Sequence, residues 1–323
     1  IMLISIAMIL LMGMLMGWIC KKIHLPSLTG MIFTGIILGP YFLNMIDSSL
    51  LNISSELRKI ALIIILTRAG LSLDLNDLKR VGRPAILMCF VPACFEIMGM
   101  IILAPKLLGI SILDAAIMGT VVGAVSPAVI VPKMLKLMEE GYGVRHSVPQ
   151  LILAGASVDD VFVIVMFTAF TGLAQGNDVS IRSFVNIPVS ILLGIVTGAF
   201  IGILLAYYFK KVHIRDTSKV IIILCLSFIL VTFEDRFSTI LPFASLIAVM
   251  AMGIALQKKR EVVAKRLSVK FNKLWVVAEI VLFVLVGATV DIKYAVSAGV
   301  LSAILILGVL MFRMLGVFLC LLK

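Results

Sequence analysis

Apolar runs of similar length, separated by short clusters of charge and turn residues, make up most of this chain. They fall at about 2–19, 27–43, 57–73, 82–104, 111–133, 148–172, 184–209, 219–233, 237–256, 273–290 and 294–321. A helix needs ~20 apolar residues to cross the hydrocarbon of a bilayer. The pattern therefore predicts an all-α polytopic membrane protein with about eleven spans, the third of them short. The fifth run holds Gly123, Ser126, Pro127 and Pro132. Proline removes a backbone donor and frees a carbonyl, so this run reads as a span unwound where it lines a cavity. A kinked packing helix is the alternative. The first run lacks a basic start and a small-residue cleavage signature, which predicts a span rather than a signal peptide.

Composition narrows the class. Of 323 residues, 62% are hydrophobic and 14% charged, against roughly 45–50% and 25% in soluble domains. The mean hydropathy is +1.21. A water-soluble globule is excluded, and a single transmembrane domain over 1–323 accounts for the whole length. Five cysteines (Cys20, Cys89, Cys94, Cys225, Cys320) show no CxxC and no cluster with His at metal-site spacing, so neither a disulfide scaffold nor a zinc site is expected.

The net charge of +11 is placed by loop. Loops after odd-numbered spans and the chain end carry twenty of the 28 Lys and Arg, and even loops carry six, Arg58, Lys59, Lys106, Arg182, Arg236 and Lys293. The positive-inside rule then puts the N-terminus outside and the odd loops in the cytoplasm. The basic stretch 258–273 reads as a cytoplasmic loop held against anionic headgroups, and nucleic acid is not an expected partner.

Six ionisable residues remain at membrane depth: Arg68, Glu96, Asp159, Asp160, Glu279 and Arg313. An unpaired charge there costs at least ~2.5 kcal/mol, so each needs a partner or a polar cavity. Four acids against two bases leave two carboxylates for a cation or a proton. Asp159 and Asp160, in GASVDDVFVIVMF, are the candidate ion site, with Gly155, Ala156 and Ser157 allowing close helix approach. Neighbouring helix positions diverge by ~100°, so one carboxylate can face a cavity while the other contacts a helix. The bland reading is that both only brace the bundle against Arg68 or Arg313. Ser126 and Thr120 supply hydroxyls on the interrupted span. Glu96 and Arg313, each isolated among apolar residues, are expected to form a buried pair. Arg68 lies nearer a span end, where it can snorkel. Glu279 sits near the interface or serves as an accessory acid.

GxGxxG, P-loop and HExxH motifs are absent, and Ser126 and Ser157 have no histidine at membrane depth. The repeated filter motif of a channel is also missing. This leaves secondary transport rather than enzymatic chemistry, with a non-transporting sensor or scaffold as the reading from another class.

The segments LPSLTGMIFTGIILGP (25–40), LTRAGLSLDL (66–75), GAVSPAVIVPKML (123–135), GYGVRHSVPQLILAGASVDD (141–160) and EIVLFVLVGATVDI (279–292) carry a family resemblance. The chain resembles the monovalent cation:proton antiporter superfamily, and within it the sodium/hydrogen exchangers with a paired-aspartate motif. The resemblance implies a core domain with two crossing discontinuous helices beside a dimerisation domain, in a homodimer surrounded by lipid. It implies exchange of Na⁺ or Li⁺ for H⁺ by alternating access, without a cofactor, with K⁺/H⁺ exchange as the alternative on the same scaffold. Asp160 matches the ion-binding aspartate and Asp159 its partner; both would hold Na⁺ transiently. Ser126 stands where many relatives place an aspartate, and Glu96 and Arg313 match a structural pair. Relatives have about thirteen spans, so two further helices are expected beyond residue 323. A bacterial inner membrane is the expected setting, and one proton per Na⁺ the expected stoichiometry.

Overall fold

The computed structural model describes residues 2–73, 82–174, 181–237, 241–297 and 299–322. Among them the chain is all helix, turn and loop. The helices are α1 (Met2–Lys22), α2 (Ser27–Leu38), α3 (Ser48–Asn52), α4 (Ser54–Ser72), α5 (Arg83–Met88), α6 (Val91–Leu108), α7 (Ile112–Gly123) and α8 (Pro127–Glu139). They continue as α9 (Val148–Ala174), α10 (Ile181–Lys211), α11 (Asp216–Phe237), α12 (Ser245–Lys259), α13 (Glu261–Ala288), α14 (Ile292–Ser297) and α15 (Gly299–Leu321). Lys79 and Arg80, two of the twenty basic residues counted in the loops after odd-numbered spans, lie outside the described residues.

Six helical stretches among the described residues are long and apolar enough to cross a membrane, against the eleven spans expected. Two of the six are pairs of half-helices, α5 with α6 and α7 with α8. Several of the remainder fall short for identifiable reasons. Helices α2 and α12 have 12 and 15 residues, and α4 carries Glu56, Arg58, Lys59 and Arg68.

Proline placement explains the two breaks. Pro92 and Pro127 sit in the first turns of α6 and α8, where a missing N–H costs no helical bond. The interruption in 111–133 is therefore a single one, at 124–126. Pro132, expected to help unwind this run, lies inside a continuous α8 that runs on to Glu139. Pro105 is likewise carried inside α6. The break at Cys89–Phe90 was not expected.

Two compact units divide the chain. The first comprises Ile1–Ile64 and Lys270–Gly299. Here α1 and α2 pack through small residues, Gly30 lying against the backbone of Met16. Gly35 and Gly287 allow α2 to meet the C-terminal part of α13 backbone to backbone. The Ser5 hydroxyl accepts from the Asp47 N–H at 3.0 Å, and Asp47 in turn caps α3 by accepting from Ser49 N–H at 2.9 Å.

The second unit comprises Ile65–Val269 and Val300–Lys323. Helices α6, α7 and α15 share a core of Met100, Ala104, Ala115, Leu305 and Val309. Glu234 of α11 accepts the Ser245 N–H at 2.9 Å and satisfies an orphan donor at the start of α12. Gly194, Gly198 and Gly202 form a seam along α10 on which α12 rests. A Cβ on Gly198 would collide with the Ala248 backbone, which cannot yield unless α12 moves. Gly198→Leu is expected to cost at least about 1–3 kcal/mol and to depress the thermal midpoint in detergent. Val196→Leu, on an exposed position of the same helix, should leave that midpoint unchanged.

Candidate functional site

Three helices and one helix break of the second unit converge on the Arg313 guanidinium. Its Nη1 donates to Glu96 Oε2 of α6 and, at 2.8 Å, to the carbonyl of Gly123. Its Nη2 donates to Asp159 Oδ2 of α9 at 2.9 Å. The planar fork of an arginine can serve several acceptors at once, which a lysine ammonium on one point cannot do in this geometry. Glu96 and Asp159 are each 1% exposed. The expectation of a Glu96–Arg313 pair thus describes part of the arrangement. The observed unit is a triad closed by the last carbonyl of α7, one of the groups that a helix C-terminus leaves without an internal partner.

Sequence order explains how the site is held. Gly119 brings α7 against Ile97 of α6, and Gly99 and Gly316 bring α6 and α15 together, at Phe312 and Pro92 respectively. Gly155 of α9 lies against Met88 of α5. These small residues permit the close approach that lets three side chains and the Gly123 carbonyl meet.

The site is unbalanced in charge. Two carboxyl groups face one guanidinium, so acids outnumber bases here before Asp160 is counted. Asp159 Oδ1 is buried and has no hydrogen-bond partner among the described residues. A buried acceptor in that state is costly. Asp159 borders a cavity of about 230 Å³ that also touches Val125 of the break, Ile130 of α8, Ala156 and Arg313.

The other sequence-predicted residues take different places. Asp160 lies on α9 directly after Asp159, but its side chain, like that of Ser157, lies outside the described residues. Thr120 is fully buried, and its hydroxyl donates to the Ile117 carbonyl at 2.6 Å. That leaves its oxygen lone pairs as acceptors only. Ser126 precedes α8 and makes no capping bond. Arg68 is paired. Its side chain is 8% exposed and Nη2 donates to Glu139 Oε1 at 3.0 Å, because α8 runs far enough past Pro132 to deliver that carboxylate. Glu279 lies half-buried on α13 in the other compact unit. Sequence reasoning missed Glu139 and the Gly123 carbonyl. No local pattern ties Glu139 to an arginine 71 positions away, and no side-chain signal marks a backbone carbonyl.

Comparison with known proteins gives concordant findings. Residues 6–323 match the family model described as sodium/hydrogen exchanger, transmembrane. The chain is 32% identical over 280 residues to human sodium/hydrogen exchanger 9B2, covering 83% of this chain and 50% of that protein. It is 32% identical over 307 residues to the mouse protein, covering 91% and 54%. Human sodium/hydrogen exchanger 9B1 is 30% identical over 274 residues, covering 83% and 52%. The chain thus spans about half the length of these relatives. In fold it is similar to the sodium proton antiporter MjNhaP1 from Methanocaldococcus jannaschii at pH 8, with a TM-score of 0.78 at 20% identity, over 98% of this chain and 77% of that one. The architecture is an all-α antiporter fold in an integral, multi-pass membrane protein.

Proposed function

This chain belongs to the sodium/hydrogen exchanger family, and from that premise we propose that it exchanges Na⁺, or a related monovalent cation, for H⁺ by alternating access. The observation that carries the proposal is the buried Asp159, which borders the cavity at the helix break with one oxygen on Arg313 and the other without a hydrogen-bond partner among the described residues. A site with more carboxylate than guanidinium charge favours a cation or a proton over an empty state.

In this reading Asp160 takes the ion and Asp159 assists, held in place by Arg313 while Glu96 balances the guanidinium from the other side. Ser126 and the lone pairs of Thr120 contribute neutral oxygens at the break. Binding Na⁺ requires the carboxylate to be ionised, and protonation expels the cation, so the two substrates occupy the same oxygens in turn. Helices α5 to α9 with α15 form the moving core in this proposal. The remaining helices supply the dimerisation side of a homodimer. The N-terminus lies outside and 258–273 in the cytoplasm, as the distribution of Lys and Arg among the loops supports.

Competition gives the test. In everted vesicles carrying the full-length protein, lowering the pH should raise the apparent KM for Na⁺. The exchange rate should be bell-shaped in pH, because protons become scarce for the return half-cycle at the alkaline end. A KM for Na⁺ that ignores pH would remove the shared site. Exchange supported by K⁺ and not Na⁺ would reassign the cation, and vesicles with no cation-dependent pH change would leave a non-transporting membrane protein.

A further inference from the structure

The second unit carries an apolar groove walled by α10 and α12, with Ala154 of α9 also lining it. The glycine seam brings these two backbones together. One position further on, Ile195, Ala199 and Ile203 stand beside the seam at helical spacing. Ile247, Ala251 and Ile254 form the facing wall on α12. The small Ala199 and Ala251 among isoleucines leave space, and the groove encloses about 570 Å³. That lies within the ~300–1,000 Å³ typical of ligand clefts.

The polarity of the groove is confined to its end. Continuing the same face of α12 by one turn gives Lys258, with Lys259 beside it, and both line the groove. Both are exposed, and neither has a carboxylate partner among the described residues. The nearest acid in sequence, Glu261, is held by Lys265 at 2.6 Å. A cation would find repulsion here and no oxygen ligands. A soluble anion would leave the apolar length unfilled. We infer that this groove binds an anionic phospholipid, with an acyl chain along α10 and α12 and the phosphate between Lys258 and Lys259. The apolar lysine stems lie along the hydrocarbon while their ammonium groups reach the headgroup.

The test uses the purified full chain in nonionic detergent, with phosphatidylglycerol or phosphatidylcholine of the same acyl chains added and the thermal midpoint read. A ligand of the native state raises that midpoint. Phosphatidylglycerol should stabilise the protein at concentrations where phosphatidylcholine does not. Lys258→Gln with Lys259→Gln should weaken that response by about tenfold or more in lipid concentration, since each basic residue adds attraction to an anionic lipid. Lys210→Gln with Lys211→Gln, which removes the same charge from the end of α10, should leave it intact. Ala199→Phe fills the groove and should abolish the response while both lysines remain. Equal weakening in the two double variants would show diffuse charge and overturn the site. So would the same stabilisation from inorganic phosphate alone, a full response in Ala199→Phe, or a second copy of the chain covering the groove in lipid-free protein. Should Ala199→Phe fail to fold, the lysine pairs and the phosphate arm still decide.

Discussion

Arg313→Ala should destabilise the protein by about 3–5 kcal/mol, the range for leaving buried charge uncompensated. The loss comes from both sides of the guanidinium. Glu96 and Asp159, each 1% exposed, would be stranded together, and the Gly123 carbonyl would lose its donor. Arg313→Lys should recover only part, because one ammonium cannot satisfy three acceptors in these directions. The triad also makes a more specific forecast. Replacing Glu96 and Arg313 together by Met still leaves Asp159 without its cation, so recovery requires a third change, Asp159→Asn. Denaturant midpoints in detergent across this cycle measure the couplings. Additive losses would show that the three side chains do not act as one unit.

Asp160→Asn in the full-length protein should reduce Na⁺-dependent proton movement to the level of vesicles lacking the protein, with the fold retained. Asparagine keeps the size and loses the proton and the charge, so neither substrate has its site. Asp159→Asn should be less severe for exchange and more damaging to stability, since it removes an acceptor from Arg313. A pH-sensitive dye in everted vesicles reads the first effect, and the thermal midpoint reads the second. Wild-type exchange in the Asp160→Asn variant would sink the assignment of the ion to this aspartate. Solid-supported-membrane recordings add the stoichiometry. Exchange without current fits one proton per Na⁺, and a sustained Na⁺-dependent current fits two.

Much of the architecture was legible along the chain because the signal is local. Run length and charge spacing mark α1, α10, α13 and α15. Gly, Ser and Pro in 123–127 mark the break between α7 and α8. Less legible was which prolines interrupt a helix. Pro127 and Pro132 look alike in composition, yet one starts α8 and the other is carried inside it. The difference depends on whether the helix has already begun, which neighbours and packing determine. The break before Pro92 went unseen for the same reason.

The membrane class, the helical content and the excess of intramembrane acid over base follow from the sequence by itself, because hydropathy and charge sum over residues wherever they end up. The partners of those charges do not. Arg313 reaches Glu96 across 217 positions and Asp159 across 154, distances over which no periodicity carries information. Only the crossing of α6, α9 and α15, set by small residues such as Gly99, Gly155 and Gly316, decided that one guanidinium would serve two carboxylates. The same crossing left Asp159 Oδ1 without a hydrogen-bond partner among the described residues. Arg68 of α4 likewise meets Glu139 of α8, a surface acid that hydropathy had set aside, because an ion pair forms where backbones bring opposite charges within reach.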